Sequence, residues 1–175
     1  MRPVLFVGSS IFEQWTQCGD AVDGPSVNEA IGGTTSRDWL PRLEPLLKLH
    51  RPRLVACYVG SNDFNNAIDF TETKANVLEL AAITATHCPL LYASIIRGPA
   101  KRGHWDQLIE LQQALAGALP DRCMLVDLNP VFRTDSGVLR HDFFVEDGVH
   151  LTPDAYDALT HFMRPVLAGA LEMTA

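Results

Sequence analysis

Asp147 and His150 stand three residues apart with Gly148 between them. That spacing lets the carboxylate reach the imidazole Nδ1–H while Nε2 points outward. An imidazole oriented by an acid is a general base, and a serine hydroxyl is the nucleophile it most often activates. Two such hydroxyls, Ser9 and Ser10, follow Gly8 directly after the apolar run Val4-Leu5-Phe6-Val7. Their attack on a carbonyl would create an oxyanion, which needs donors already in place. Backbone N–H groups of Ser10 and Gly33 could supply two, and the Asn62 side-chain amide a third. The chemistry these residues suit is acyl transfer.

Each residue also has a plainer use. Ser9 and Ser10 suit a helix cap, and Asn62 suits a turn in which its side chain bonds local backbone. Gly32 and Gly33 read equally as turn glycines, Asp147 as a loop carboxylate and His150 as a core or cap residue. His141-Asp142 is a competing acid–base pair, though adjacent residues do not readily face each other. His50, His87, His104 and His161 read as surface residues, and Trp15, Trp39 and Trp105 as packing residues. Arg97, Lys101 and Arg102 form a basic loop, open either to attract an anionic group or to stand solvated.

The elements that must carry these groups follow from apolar patterning. Val4–Val7, Leu54–Val59, Leu90–Ile96 and Met124–Leu128 are short runs, apolar throughout, of the kind buried on both faces of a parallel sheet. Ser26–Glu29 is a weaker fifth strand. Helical spacing recurs over 71–87, with Thr71 as cap, and over 104–119. The last helix is announced by Thr152 as cap and Pro153 at its first position, with Pro165 expected to kink or divide it. Thr34 to His50 is helical too, but Pro41 and Pro45 predict two short pieces. Alternating strands and helices with right-handed crossovers give an α/β, doubly wound, three-layer α/β/α sandwich with a parallel five-stranded sheet. Ligands of such sheets bind at the carboxyl ends of the strands. Every candidate residue above falls at that rim.

Bulk composition sets limits. A chain of 175 residues, 47% hydrophobic and 20% charged, is ordinary for one compact soluble domain covering 1–175. A formal net charge of −7 argues against nucleic acid or an anionic membrane surface as the main partner. No apolar run is long enough to span a bilayer, and Met1-Arg2-Pro3 leads straight into a strand rather than a secretory leader. A cytoplasmic location is therefore expected, and a homodimer is the commonest assembly for such a domain. Cys18, Cys57, Cys88 and Cys123 are widely separated with no C-x-x-C, so four free thiols are expected rather than a zinc site or disulfide framework.

Four blocks occur in a fixed order: Gly8-Ser9-Ser10; Gly33 within Asn28-Glu29-Ala30-Ile31-Gly32-Gly33-Thr34-Thr35; Asn62 within Gly60-Ser61-Asn62-Asp63; and Asp147-Gly148-Val149-His150. Together they resemble the SGNH hydrolases, also called GDSL esterases/lipases, which include a platelet-activating-factor acetylhydrolase-like branch. The resemblance implies a flavodoxin-like fold with the nucleophile at Ser10, the base at His150 and its orienting acid at Asp147. It also implies oxyanion donors at Ser10, Gly33 and Asn62. The implied activity is hydrolysis of small carboxylic esters, short-chain acyl or acetyl, as in lysophospholipase- or acetylhydrolase-like enzymes, with no cofactor and no metal. The same residues would also serve an O-acyltransferase. A non-catalytic module holding an anion at the helix start is the reading from another class. One position departs from the family pattern: Ser9 stands where an acid is usual, and its hydroxyl can still bond neighbouring backbone, but one negative charge is lost near the site.

Overall fold

The computed structural model describes residues 1–172. Five strands, β1 (Val4–Gly8), β2 (Ser26–Asn28), β3 (Leu54–Tyr58), β4 (Leu90–Ala93) and β5 (Cys123–Val126), form one sheet in the order β2-β1-β3-β4-β5. Every neighbouring pair is parallel. The chain leaves β1 toward one edge, through β2, and later returns to build β3 on the other side. The segments that leave the paired carboxyl ends of β1 and β3 therefore run to opposite faces of the sheet and open a crevice, the place where such sheets bind ligands.

Side chains alternate across the sheet. Val4 and Phe6 face one core, and Leu5 and Val7 the other; in β3, Leu54, Ala56 and Tyr58 oppose Val55 and Cys57. The first core is closed by the short α1 (Ser10–Glu13) and the long α5 (Pro153–Glu172), through Phe12, Ala155, Leu159, Met163 and Leu167. The second is closed by α2 (Ser36–His50), α3 (Phe70–Ala85) and α4 (Trp105–Ala116), through Leu43, Leu47, Val77, Leu80, Leu108 and Leu111. Burial on both faces explains why these strands carry no polar alternation.

Several boundaries differ from the sequence reading. α2 is one continuous helix despite Pro41 and Pro45. Both prolines are exposed and lie four residues apart on one face, so the carbonyls they orphan face water, while Trp39, Leu43 and Leu47 hold the other face in the core. Pro165 likewise does not divide α5, because it too sits on the exposed side. The cap of α3 is Asp69 rather than Thr71, its carboxylate accepting the Glu72 N–H at 2.9 Å. β4 stops at Ala93 instead of reaching Ile96. Beyond it the Asn129 side chain replaces the ladder, donating to the Ile95 carbonyl at 3.1 Å and accepting from the Arg97 N–H at 2.8 Å. The four cysteines are free thiols. Among the described residues, no helix is long and apolar enough to cross a membrane.

Candidate active site

β1 ends at Gly8, whose φ is +143°. A Cβ there would lie 2.2 Å from the Tyr58 carbonyl oxygen, so only glycine can pass β3 this closely. The close pass lets the Ser9 N–H donate to Tyr58 O at 3.0 Å and starts α1 at Ser10. Ser9 turns inward and is 1% exposed; its hydroxyl has no hydrogen-bond partner among the described residues, so the backbone bond open to it is not made. Ser10 faces the rim, half-buried.

The base arrives from the far end of the chain. The turn before α5 is pinned by paired backbone between Phe144 and Leu151 and by the Val145 N–H donating to His150 O at 2.9 Å. Within it, Asp147 Oδ1 accepts the N–H groups of Val149 and His150 at 2.8 and 2.9 Å. Its Oδ2 lies 2.6 Å from His150 Nδ1, and His150 Nε2 lies 3.0 Å from Ser10 Oγ. The imidazole hydrogen bond, helped by those two backbone N–H groups, holds the Asp147 carboxyl down to about 2. With Nδ1–H committed to the carboxylate, Nε2 is left to accept the Ser10 hydroxyl proton. His141 and Asp142 take no part. Both are exposed in a 3₁₀ turn, and the Asp142 carboxylate pairs with Arg140 at 3.1 Å.

The loops after β2 and β3 close the crevice. Gly33 has φ +76°, while a Cβ there would meet nothing within 4 Å. The positive φ is what calls for glycine in this turn. The Thr34 hydroxyl donates to Ile31 O at 2.7 Å and accepts the Trp39 indole N–H at 2.9 Å, so the loop is held from the core. Asn62 Nδ2 donates to Thr34 O at 2.9 Å, which uses one of its two amide protons and leaves the other available. Ser10, Gly33, Asn62, Asp147 and His150 are thus carried by four loops at one rim.

Some residues that matter here were given no role by the sequence, or a different one. Asp63, fully buried, accepts the Ser36 N–H at 2.8 Å and the Ser36 hydroxyl, which in turn accepts Asn76 Nδ2 at 2.9 Å. This network ties the loop after β3 to the start of α2. Adjacency to Asn62 was the only available signal. Lys101 is buried rather than solvated and donates to the Ser61 carbonyl. His50 is half-buried against Glu29 at 2.9 Å, and His104 stacks on Phe64 at 5.6 Å, so neither is a free surface residue. Among the described residues, no group of three or more His, Cys, Asp or Glu could hold a metal ion.

The chain that carries this arrangement has relatives among known proteins. Residues 6–158 match the GDSL-like Lipase/Acylhydrolase family. The chain belongs to that family. It is 30% identical over 145 residues to thioesterase 1/protease 1/lysophospholipase L1 of Escherichia coli K12. The match takes in 81% of this chain but 66% of that relative, so the chain spans just under two thirds of its length. An arylesterase of Vibrio mimicus is 24% identical over 147 residues, covering 83% of this chain and 70% of the relative. In three dimensions a GDSL-like lipase from Bacteroides thetaiotaomicron superposes with a TM-score of 0.76 at 23% identity, covering 97% of this chain and 89% of its own. That likeness shows a shared fold. The residues that match the GDSL family, 6–158, take in all four blocks.

Proposed function

We propose that this GDSL-family chain is a serine esterase of small carboxylic esters, with short-chain acyl or acetyl groups as the acid part. In this reading His150 Nε2 takes the Ser10 hydroxyl proton as Oγ attacks the ester carbonyl carbon. The resulting oxyanion is held by the N–H groups of Ser10 and Gly33 and by the second amide proton of Asn62. Collapse breaks the bond to the alkoxy group, and His150 returns its proton to that leaving oxygen. Water then adds to the acyl-serine with the same base, releasing the acid and regenerating Ser10. Asp147 stays a carboxylate throughout, fixing the imidazole tautomer and offsetting the imidazolium charge.

One observation carries the reading: Asp147, His150 and Ser10 stand in line at 2.6 and 3.0 Å although Ser10 is 140 residues away in sequence. An anion-binding pocket has no use for an orienting acid. The His150 side chain is 32% exposed and that of Asp147 48%, so the rim is open, which suits small soluble esters and the platelet-activating-factor acetylhydrolase-like branch. The esterase and lysophospholipase names of the relatives point the same way. Intact-mass analysis after a fluorophosphonate probe tests the assignment. A single adduct lost in Ser10→Ala and kept in Ser9→Ala is expected, together with a fall in p-nitrophenyl acetate turnover on the order of 10⁶. An adduct that survives Ser10→Ala would overturn it.

A further inference from the structure

The 3₁₀ segment Pro99–His104, after β4, touches both halves of the site through consecutive residues. The Ala100 N–H donates to the Gly148 carbonyl at 3.1 Å, inside the turn that carries Asp147 and His150. Lys101 Nζ donates to the Ser61 carbonyl, one residue before Asn62. His104 stacks on Phe64 at 5.6 Å, fastening the same segment to the loop after β3 a second time.

Lys101 is an unusual fastener. It is 7% exposed, and no carboxylate lies within ion-pairing distance of it among the described residues. Burying an ammonium without a direct counter-ion is costly, and a methionine would fill the same space without that cost. Burial draws its pKa down, partly opposed by the nearby Asp63 carboxylate. Asp63 itself is engaged by Ser36, so it offers Lys101 charge at a distance rather than a bond. What Lys101 does make is a charge-assisted hydrogen bond to the backbone that presents Asn62, among the stronger hydrogen bonds available to a side chain.

We propose that Lys101 is a positioning residue for the acyl-transfer site: by gripping the Ser61 carbonyl it fixes the Asn62 amide at the oxyanion, while neighbouring Ala100 locks that loop to the turn bearing the general base. The inference rests on the oxyanion role proposed above for Asn62. Lys101 acts through Asn62 and does not touch the reacting atoms. A donor held within a few tenths of an ångström is worth far more to a developing oxyanion than to a ground-state carbonyl. Loss of the grip therefore shows in kcat rather than KM.

The test is a set of variants, Lys101→Met, Lys101→Arg, Asn62→Ala and the double Lys101→Met/Asn62→Ala, assayed on p-nitrophenyl acetate. Rates are normalised to active sites counted by fluorophosphonate labelling. Lys101→Met is expected to lower kcat per labelled site by about 10- to 100-fold with KM moving less than about twofold. Lys101→Arg, which can still donate to a carbonyl, should recover most of that loss. The double variant should be no slower than Asn62→Ala alone, because the lysine has nothing left to position. Should Lys101→Met not fold, Lys101→Gln takes its place, its arm one bond too short for the Ser61 carbonyl. An unchanged kcat per labelled site, or losses that multiply in the double variant, would overturn the proposal. If Asn62→Ala itself leaves kcat intact, the oxyanion reading fails instead, and the two failures are told apart.

Discussion

Asn62 Nδ2 donates to the Thr34 carbonyl oxygen at 2.9 Å, so the amide expected to meet an oxyanion also bridges the loops after β2 and β3. One of its protons ties the loop after β3 to the Gly33 turn, and the other is left available. Asn62→Ala would remove both functions at once. A fall in kcat of roughly 10²–10³ with little change in KM is expected from steady-state kinetics on p-nitrophenyl acetate. A rise in KM alone would make Asn62 a ground-state contact.

Ser9 gives the opposite expectation. Its hydroxyl is buried and unpartnered, so Ser9→Ala removes an unsatisfied polar group and leaves a methyl of nearly the same size. Thermal melting should show a stability unchanged or raised by up to about 1 kcal/mol, with fluorophosphonate labelling retained. A clear loss of stability would mean that the hydroxyl has a partner in solution.

Asp147 links geometry to pH. Its folded-state pKa, about 2, lies below the ordinary carboxylate value, so its ionised form and the turn it organises persist as pH falls, and are lost only near pH 2. Protonation of Asp147 therefore causes no loss of activity between pH 4 and 8. Carbon-13 NMR of the Asp147 carboxyl should show its midpoint well below 4. Asp147→Asn would put an N–H donor against Nδ1 and leave the proton on Nε2, where it blocks the Ser10 hydroxyl. A drop in kcat on the order of 10⁴ is expected, as for the equivalent change in other serine triads.

Asp63 should behave as a structural residue. Asp63→Ala would strand the buried Ser36 N–H and hydroxyl and loosen Asn76 behind them. Urea unfolding should show a loss of about 3 kcal/mol, the scale of a buried charged hydrogen-bond partner removed from one side. The surviving folded fraction should still label with a fluorophosphonate.

What was legible in sequence was local. The Asp147–His150 contact spans one turn, and both backbone N–H groups that fix the carboxylate lie within three residues of it. The strands were legible because burial on both faces leaves an uninterrupted apolar run, and the parallel sheet followed from their spacing. Gly8 was legible because a strand-to-helix turn permits so few residue types, and Ser10 because the family resemblance and its place at the helix start both pointed to it. What misled was also local: Pro41 and Pro45 look like helix breakers until the exposed face that tolerates them is known.

By itself, then, the amino-acid sequence determined which groups could react, which short segments present them, and which kind of sheet aligns those segments at one rim. Tertiary structure alone decided that Nε2 of His150 comes within 3.0 Å of Ser10 Oγ, that Asn62 reaches Thr34, and that Lys101 is interior. The physical reason is range. Propensity and periodicity act over a few residues, whereas the depth of a side chain and its partner depend on what the strand order and crossovers bring against it from distant parts of the chain.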